Sequence, residues 1–140
     1  MREILFRAKI KVKVNNPWYT EEEIQFLESK LHDVVSIRFD NYSCISHISV
    51  AYGKTVMTAI AEYCDIELME YTGVKDMYGQ KIFKGDIMHD GYDTTAVVKY
   101  DDKDAMFTIV YANICTNFGN WAVIGDIYNN PELLEDKKCT

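Results

Sequence analysis

Proline is scarce, with two in 140 residues, and that scarcity argues against a proline-rich linker or a disordered tail. Closely spaced cysteines are absent too. Cys44, Cys64, Cys115 and Cys139 form no Cys-x-x-Cys pair and sit among apolar or strand-like residues. With no secretory signal recognised, they are expected to be reduced, mostly buried thiols of a cytoplasmic protein, with Cys139 exposed. No apolar run approaches the roughly 20 residues that a membrane-spanning helix needs. Positive charge is in deficit, at 15 Lys and Arg against 22 Asp and Glu, for a net charge of -7 and a pI of about 4.9. That balance repels phosphate backbones at long range and argues against a protein that coats nucleic acid.

The deficit is uneven. Residues 1–13 hold Arg2, Arg7, Lys9, Lys11 and Lys13 against Glu3, so this end is basic and the remainder strongly acidic. Such asymmetry suits copies meeting positive edge to negative surface, or an acidic face offered to a basic partner. What is plentiful is aromatic: ten tyrosines within a 13% aromatic content, in keeping with a β-rich fold. The length predicts one domain.

Residues 7–14 alternate strictly. Ala8, Ile10, Val12 and Val14 fall on one face and Arg7, Lys9, Lys11 and Lys13 on the other, predicting a half-buried strand. Its lysines mark it as a sheet edge. Thr20 followed by Glu23 is a capping box, with Glu21 and Glu22 in the first turn. A helix is predicted over residues 20–32, packed through Ile24, Leu27 and Leu31 with Phe26 nearby. Residues 34–39 and 44–50 read as strands around an Asp40-Asn41-Tyr42 turn. Residues 54–63 suit either a helix, through Val56, Ile60 and Tyr63, or a strand, through Thr55, Val56 and Thr58; the helix is preferred. Residues 65–71 predict a strand ending at Thr72-Gly73. Turns follow at Asp76-Met77-Tyr78-Gly79, Gly85-Asp86, Asp90-Gly91, residues 101–104 and Asn117-Phe118-Gly119-Asn120. Between them lie strands over residues 94–100, 105–112 and 121–124. Strands with turns at about ten-residue spacing point to a small barrel or sandwich. Gly125-Asp126-Ile127 repeats Gly85-Asp86-Ile87 and is read as the same bend used twice.

Three blocks carry a resemblance. They are Met1-Arg2-Glu3-Ile4-Leu5-Phe6-Arg7-Ala8, the run from Tyr71-Thr72-Gly73-Val74-Lys75-Asp76 through Gly79 to Gly85-Asp86-Ile87, and Val123-Ile124-Gly125-Asp126-Ile127-Tyr128-Asn129-Asn130-Pro131-Glu132-Leu133-Leu134. In this order the chain resembles the YopX family of phage and prophage proteins, with residues 10–65 the divergent part. The resemblance implies an antiparallel β pseudobarrel with one or two short helices, assembled in some members into closed rings. It implies no activity, cofactor or catalytic residue. The basic amino-terminal strand would serve as the assembly edge.

The chemistry-bearing residues give no constellation. His32, His47 and His89 are scattered without metal-ligand spacing. Cys44 and His47 would lie on opposite faces of a strand, where a nucleophile and its base cannot meet. Asp101, Asp102 and Asp104, and likewise Asp90 with Asp93, lack an EF-hand pattern and read as turn aspartates. Asp86 and Asp126 recur in one triplet and could act as an acid–base pair, but an aspartate after glycine most often bonds turn amides. Tyr71, Tyr78, Phe83, Tyr92, Tyr100 and Phe107 could stack bases, yet residues 86–136 offer only Lys99 and Lys103 as cations. Core and inter-subunit packing accounts for them better. The sequence therefore predicts a single domain over residues 1–140, with a variable part at 1–66 and a barrel-like part at 67–136. It is expected to be a self-associating, non-enzymatic accessory protein of the host bacterial cytoplasm, without cofactor or metal. The alternatives are an acidic regulator that binds a host protein or mimics nucleic acid, and a nucleic-acid binder using the basic strand.

Overall fold

The computed structural model describes residues 3–110 and 120–134, with Val110 in its backbone only. The strands are β1 (Phe6–Val12), β2 (His32–Phe39), β3 (Ile45–Tyr52), β4 (Thr55–Ile60), β5 (Cys64–Lys75), β6 (Lys81–Phe83), β7 (Asp86–His89), β8 (Thr95–Asp101), β9 (Met106–Val110) and β10 (Ala122–Asp126). One helix, α1 (Glu21–Glu28), follows β1, and a 3₁₀ turn spans Pro131–Leu134. The fold is mainly β, as expected. The strands form two antiparallel sheets with distinct end strands, β4-β3-β2-β1-β5-β6 and β10-β7-β8-β9, where a small barrel or pseudobarrel was expected, and no closed barrel is formed among the described residues. Leu5–Met69 makes one compact unit, and the described residues before and after it in sequence make another.

In the first unit, Ala8, Ile10 and Val12 point into a core with Leu27, Ile48, Val50, Met57, Ala59 and Cys64. The period-two pattern of β1 thus holds as far as Val12, whereas Val14 lies beyond the strand and is 96% exposed. The edge assignment fails, because β1 lies inside its sheet between β2 and β5. Lysines on a solvent-facing side look the same in sequence whether or not the strand's backbone groups are paired.

Helix α1 begins as predicted. Thr20 Oγ1 accepts from the Glu23 amide and Glu23 Oε1 accepts from the Thr20 amide, closing the capping box. It ends earlier, at Glu28, because His32 has already entered β2. The His32 Nε2 lies 2.9 Å from the Phe26 carbonyl and 3.1 Å from that of Leu27, so the buried ring serves the helix's last carbonyls. Leu31 stands outside the helix.

Residues 55–60 are strand, not helix. Thr55, Val56, Thr58 and Ile60 are β-branched, and β4 pairs in unbroken register with β3, from Tyr52↔Thr55 to His47↔Ile60. Gly53, at φ 59, closes that hairpin.

In the second unit Ile82, Met88, Ala96, Val98, Ile109 and Trp121 form the core. Thr72-Gly73 does not end β5. Gly73 takes φ 89 within the strand, where the register against β6 shifts between Tyr71↔Phe83 and Lys75↔Lys81. Among the described residues no helix is long and apolar enough to cross a membrane.

Candidate functional site

Four aspartates fix turns in one manner. Asp40 Oδ1 accepts from the amides of Tyr42 and Cys44, Asp76 Oδ1 from Tyr78 and Gln80, and Asp90 Oδ1 from Tyr92 and Thr94. Asp126 Oδ1 accepts from Tyr128 and Asn129. In each case a tyrosine stands two residues on, so Asp-x-Tyr is a recurrent device of this chain. The carboxylate holds the turn shut, as an Asx turn does. Tyr42, Tyr78 and Tyr92 are left 86%, 73% and 85% exposed, so these rings are presented to solvent and not packed.

Two of these turns line one cleft of about 660 Å³ within the second unit, a size that suits a bound side chain or small ligand. The turn at residues 76–80 supplies Met77 and Tyr78. It is pinned to β10, where Asp76 Oδ2 accepts from the Val123 amide at 3.0 Å and the Met77 amide donates to the Trp121 carbonyl at 3.3 Å. Asp76 is buried. Burial alone would raise its pKa, but the amides of Val123, Gln80 and Tyr78 outweigh that and hold the carboxyl below its ordinary value. The turn after β7 supplies Asp90 and Tyr92. The Tyr92 amide foremost, with Thr94 and His89, holds the Asp90 carboxyl below its ordinary value.

His89 and Ala122 are cross-strand partners on β7 and β10, so they share a face, with Ile124 further along β10. The Gly91 amide donates to His89 Nδ1 at 3.0 Å, which leaves the ring proton on Nε2 in the neutral imidazole. Among the described residues no lysine or arginine lines the cleft.

Residues 5–135 match the protein family described as YopX protein. The chain belongs to the YopX family. The match runs through residues 10–65 as well, which sequence reading had left unmatched. This YopX-family chain is also similar to a solved structure described as the crystal structure of protein EF1440 from Enterococcus faecalis. The two share 23% identity and a TM-score of 0.59, over 96% of this chain and 99% of that one, a likeness of fold. No curated protein matches.

The other candidates fall apart on inspection of their partners. Asp86 and Asp126 are opposite one another in the β7·β10 register, a proximity the sequence did not reveal. Yet they are 1% and 7% exposed, and their oxygens accept from backbone amides: Phe83 for Asp86, Tyr128 and Asn129 for Asp126. A pair so enclosed cannot reach a substrate. Nor do the two triplets make one bend. Gly85 takes φ 92 and precedes β7, whereas Gly125 lies inside β10, close against the Asn130 side chain.

Cys44 is exposed, contrary to expectation, with its thiol 3.9 Å from the Tyr42 carbonyl, while His47 Nδ1 meets Ser46 Oγ at 2.9 Å. The two form no couple. Cys64 is buried; Cys115, Cys139 and most of the predicted turn at 117–120 lie outside the described residues. Asp101 accepts from the Lys103 amide as a turn aspartate. Among the described residues no three His, Cys, Asp or Glu gather as a metal would require. Of the aromatics, Tyr71 packs on Phe83 at 5.5 Å and Tyr100 on Phe107 at 5.1 Å. Tyr78 and Tyr92 alone of that group line the cleft.

Proposed function

We propose that this chain is a non-catalytic interaction protein of phage or prophage origin that assembles with copies of itself in the bacterial cytoplasm. One observation carries the proposal: the cleft presents exposed Met77, Tyr78, Tyr92 and Ile124, while its nearby carboxylates are engaged by turn amides. Exposed aromatic and apolar side chains around a concavity favour recognition of another protein, and tyrosines are common anchors of such contacts.

The β4 and β10 ends favour assembly through side chains over strand addition. The Tyr19 hydroxyl donates to the Thr58 carbonyl and accepts from the Ile60 amide, both at 2.9 Å, which occupies the outer edge of β4. The Val123 amide on β10 and the carbonyl of Trp121 just before it are taken by the residue 76–80 turn. Strand β1 lies inside its sheet between β2 and β5, which disfavours a ring closed by pairing it as an edge strand.

Light scattering at about 50 mM and about 500 mM salt tests the proposal. An oligomeric mass is expected at both, falling when Tyr78→Ser and Tyr92→Ser are combined. A monomer under both conditions contradicts it. The net charge of -7 favours, as a second reading, an acidic regulator seated in a host protein's basic cleft. A host-lysate pull-down at low and moderate salt that recovers only copies of the chain would remove it.

A further inference from the structure

The cleft combines features that together select a ligand. Tyr78 and Tyr92 expose their rings, and Asp90 lines the same cleft. Two turn amides and the Thr94 hydroxyl engage that carboxylate, short of the roughly four acceptor sites a carboxylate offers. The Gly91 amide donates to His89 Nδ1, and among the described residues no lysine or arginine lines the wall. A phosphate or carboxylate ligand would meet the Asp90 charge with no lysine or arginine among the described lining residues to offset it. A purely apolar ligand would strip water from Asp90 and return no partner, which is unfavourable. A cation satisfies both halves of the site. Between cations, a guanidinium lies flat on aromatic rings, sheds water more readily than an ammonium and can bond a carboxylate through two N–H groups.

We propose that the cleft binds an arginine side chain presented by an extended segment of a partner protein, its guanidinium against Tyr78 and Tyr92 and paired with Asp90. This rests on the cleft being a binding surface, and does not require self-association.

Nuclear magnetic resonance titration of the full chain with a blocked glycine–arginine–glycine tripeptide tests it, with the citrulline and leucine tripeptides as comparisons. Saturable shifts are expected at the amides of Met77, Gly91, Tyr92 and Asn120, with the citrulline peptide about tenfold weaker because it keeps the shape and loses the charge. Asp90→Asn retains an oxygen for the Tyr92 and Thr94 amides while removing the charge, and should weaken arginine binding about tenfold. Tyr92→Ser, at a position 85% exposed, should weaken it severalfold without disturbing the fold. Equal binding of the citrulline peptide, undiminished binding by both variants, or the absence of any saturable shift overturns the proposal. An oligomer that ignores arginine sinks this inference and leaves self-association standing. A monomer that binds arginine does the reverse.

Discussion

Tyr19 has one hydroxyl and two tasks, since it donates to Thr58 and accepts from Ile60 at the outer edge of β4. Burial first, and then the neighbouring Cys64 thiol and Glu23, push its pKa up to about 12 from the ordinary 10.0, against a lowering by the Ile60 amide. A phenol that holds its proton longer in the folded state stabilises the fold fully below about pH 10. That contribution is lost as pH rises from about 10 to about 12. Tyr19→Phe should cost about 1 kcal/mol at neutral pH in denaturant titration, because water replaces part of what the hydroxyl gave. The same substitution should remove a phenol titrating at about 12 from a spectrophotometric titration. Asp76 works in the opposite sense. Its lowered pKa stabilises the fold above the ordinary carboxylate range, and that contribution disappears as pH falls through the lower folded value. Asp76→Asn keeps an acceptor for Tyr78 and Gln80 but turns an amide NH₂ toward the Val123 N–H. Denaturant midpoints should report a loss of about 1–2 kcal/mol and a flatter acid limb. The device behind both the Asp76 and Asp90 turns was legible in sequence as Asp-x-Tyr, four times over. It was missed because the tyrosines were counted as packing aromatics and the aspartates as turn formers, each without the other.

Capping, alternation and turn chemistry are local, and the elements they specify could be read directly: α1 from its box, the β2–β3 hairpin around Asp40, and the run of short strands after residue 80. What could not be read depends on neighbours far along the chain. Whether β1 is an edge is decided by β5, some fifty residues later. Residues 54–63 satisfy two periodicities, and the choice falls to β3, whose register they complete. The repeated Gly-Asp-Ile triplet misleads for the same reason, because its two glycines answer to different surroundings. A Cβ at Gly125 would lie 2.5 Å from Asn130 Oδ1 and 2.9 Å from its Cβ, against a side chain that accepts from the Asp126 amide. Gly125→Ala should therefore cost about 1–3 kcal/mol by crowding. Adding Asn130→Ala, which clears the clash, should recover part of it in a thermal or denaturant melt. Additive losses in the double variant would show that the glycine serves some need other than space.

Charge acts on the molecule as a whole. At neutral pH the net charge of -7 opposes association, and any assembly forms against that repulsion. Lowering the pH toward 4.9 removes the repulsion while leaving the turns intact, because Asp76 and Asp90 hold their protons off to below the ordinary carboxylate value. Association and folding should thus separate on the pH axis. Between pH 7 and about 5, light scattering should rise while the far-ultraviolet circular dichroism and the denaturant midpoint stay near their neutral values. The Tyr78→Ser/Tyr92→Ser variant should show the smaller rise, since charge neutralisation frees an attraction it lacks. Below the ordinary carboxylate range Asp76 and Asp90 protonate, and circular dichroism should then fall along with stability. If structure is lost already at pH 5, the aspartate turns do not hold the fold as described. If scattering rises equally in the variant, the exposed tyrosines are not what brings copies together.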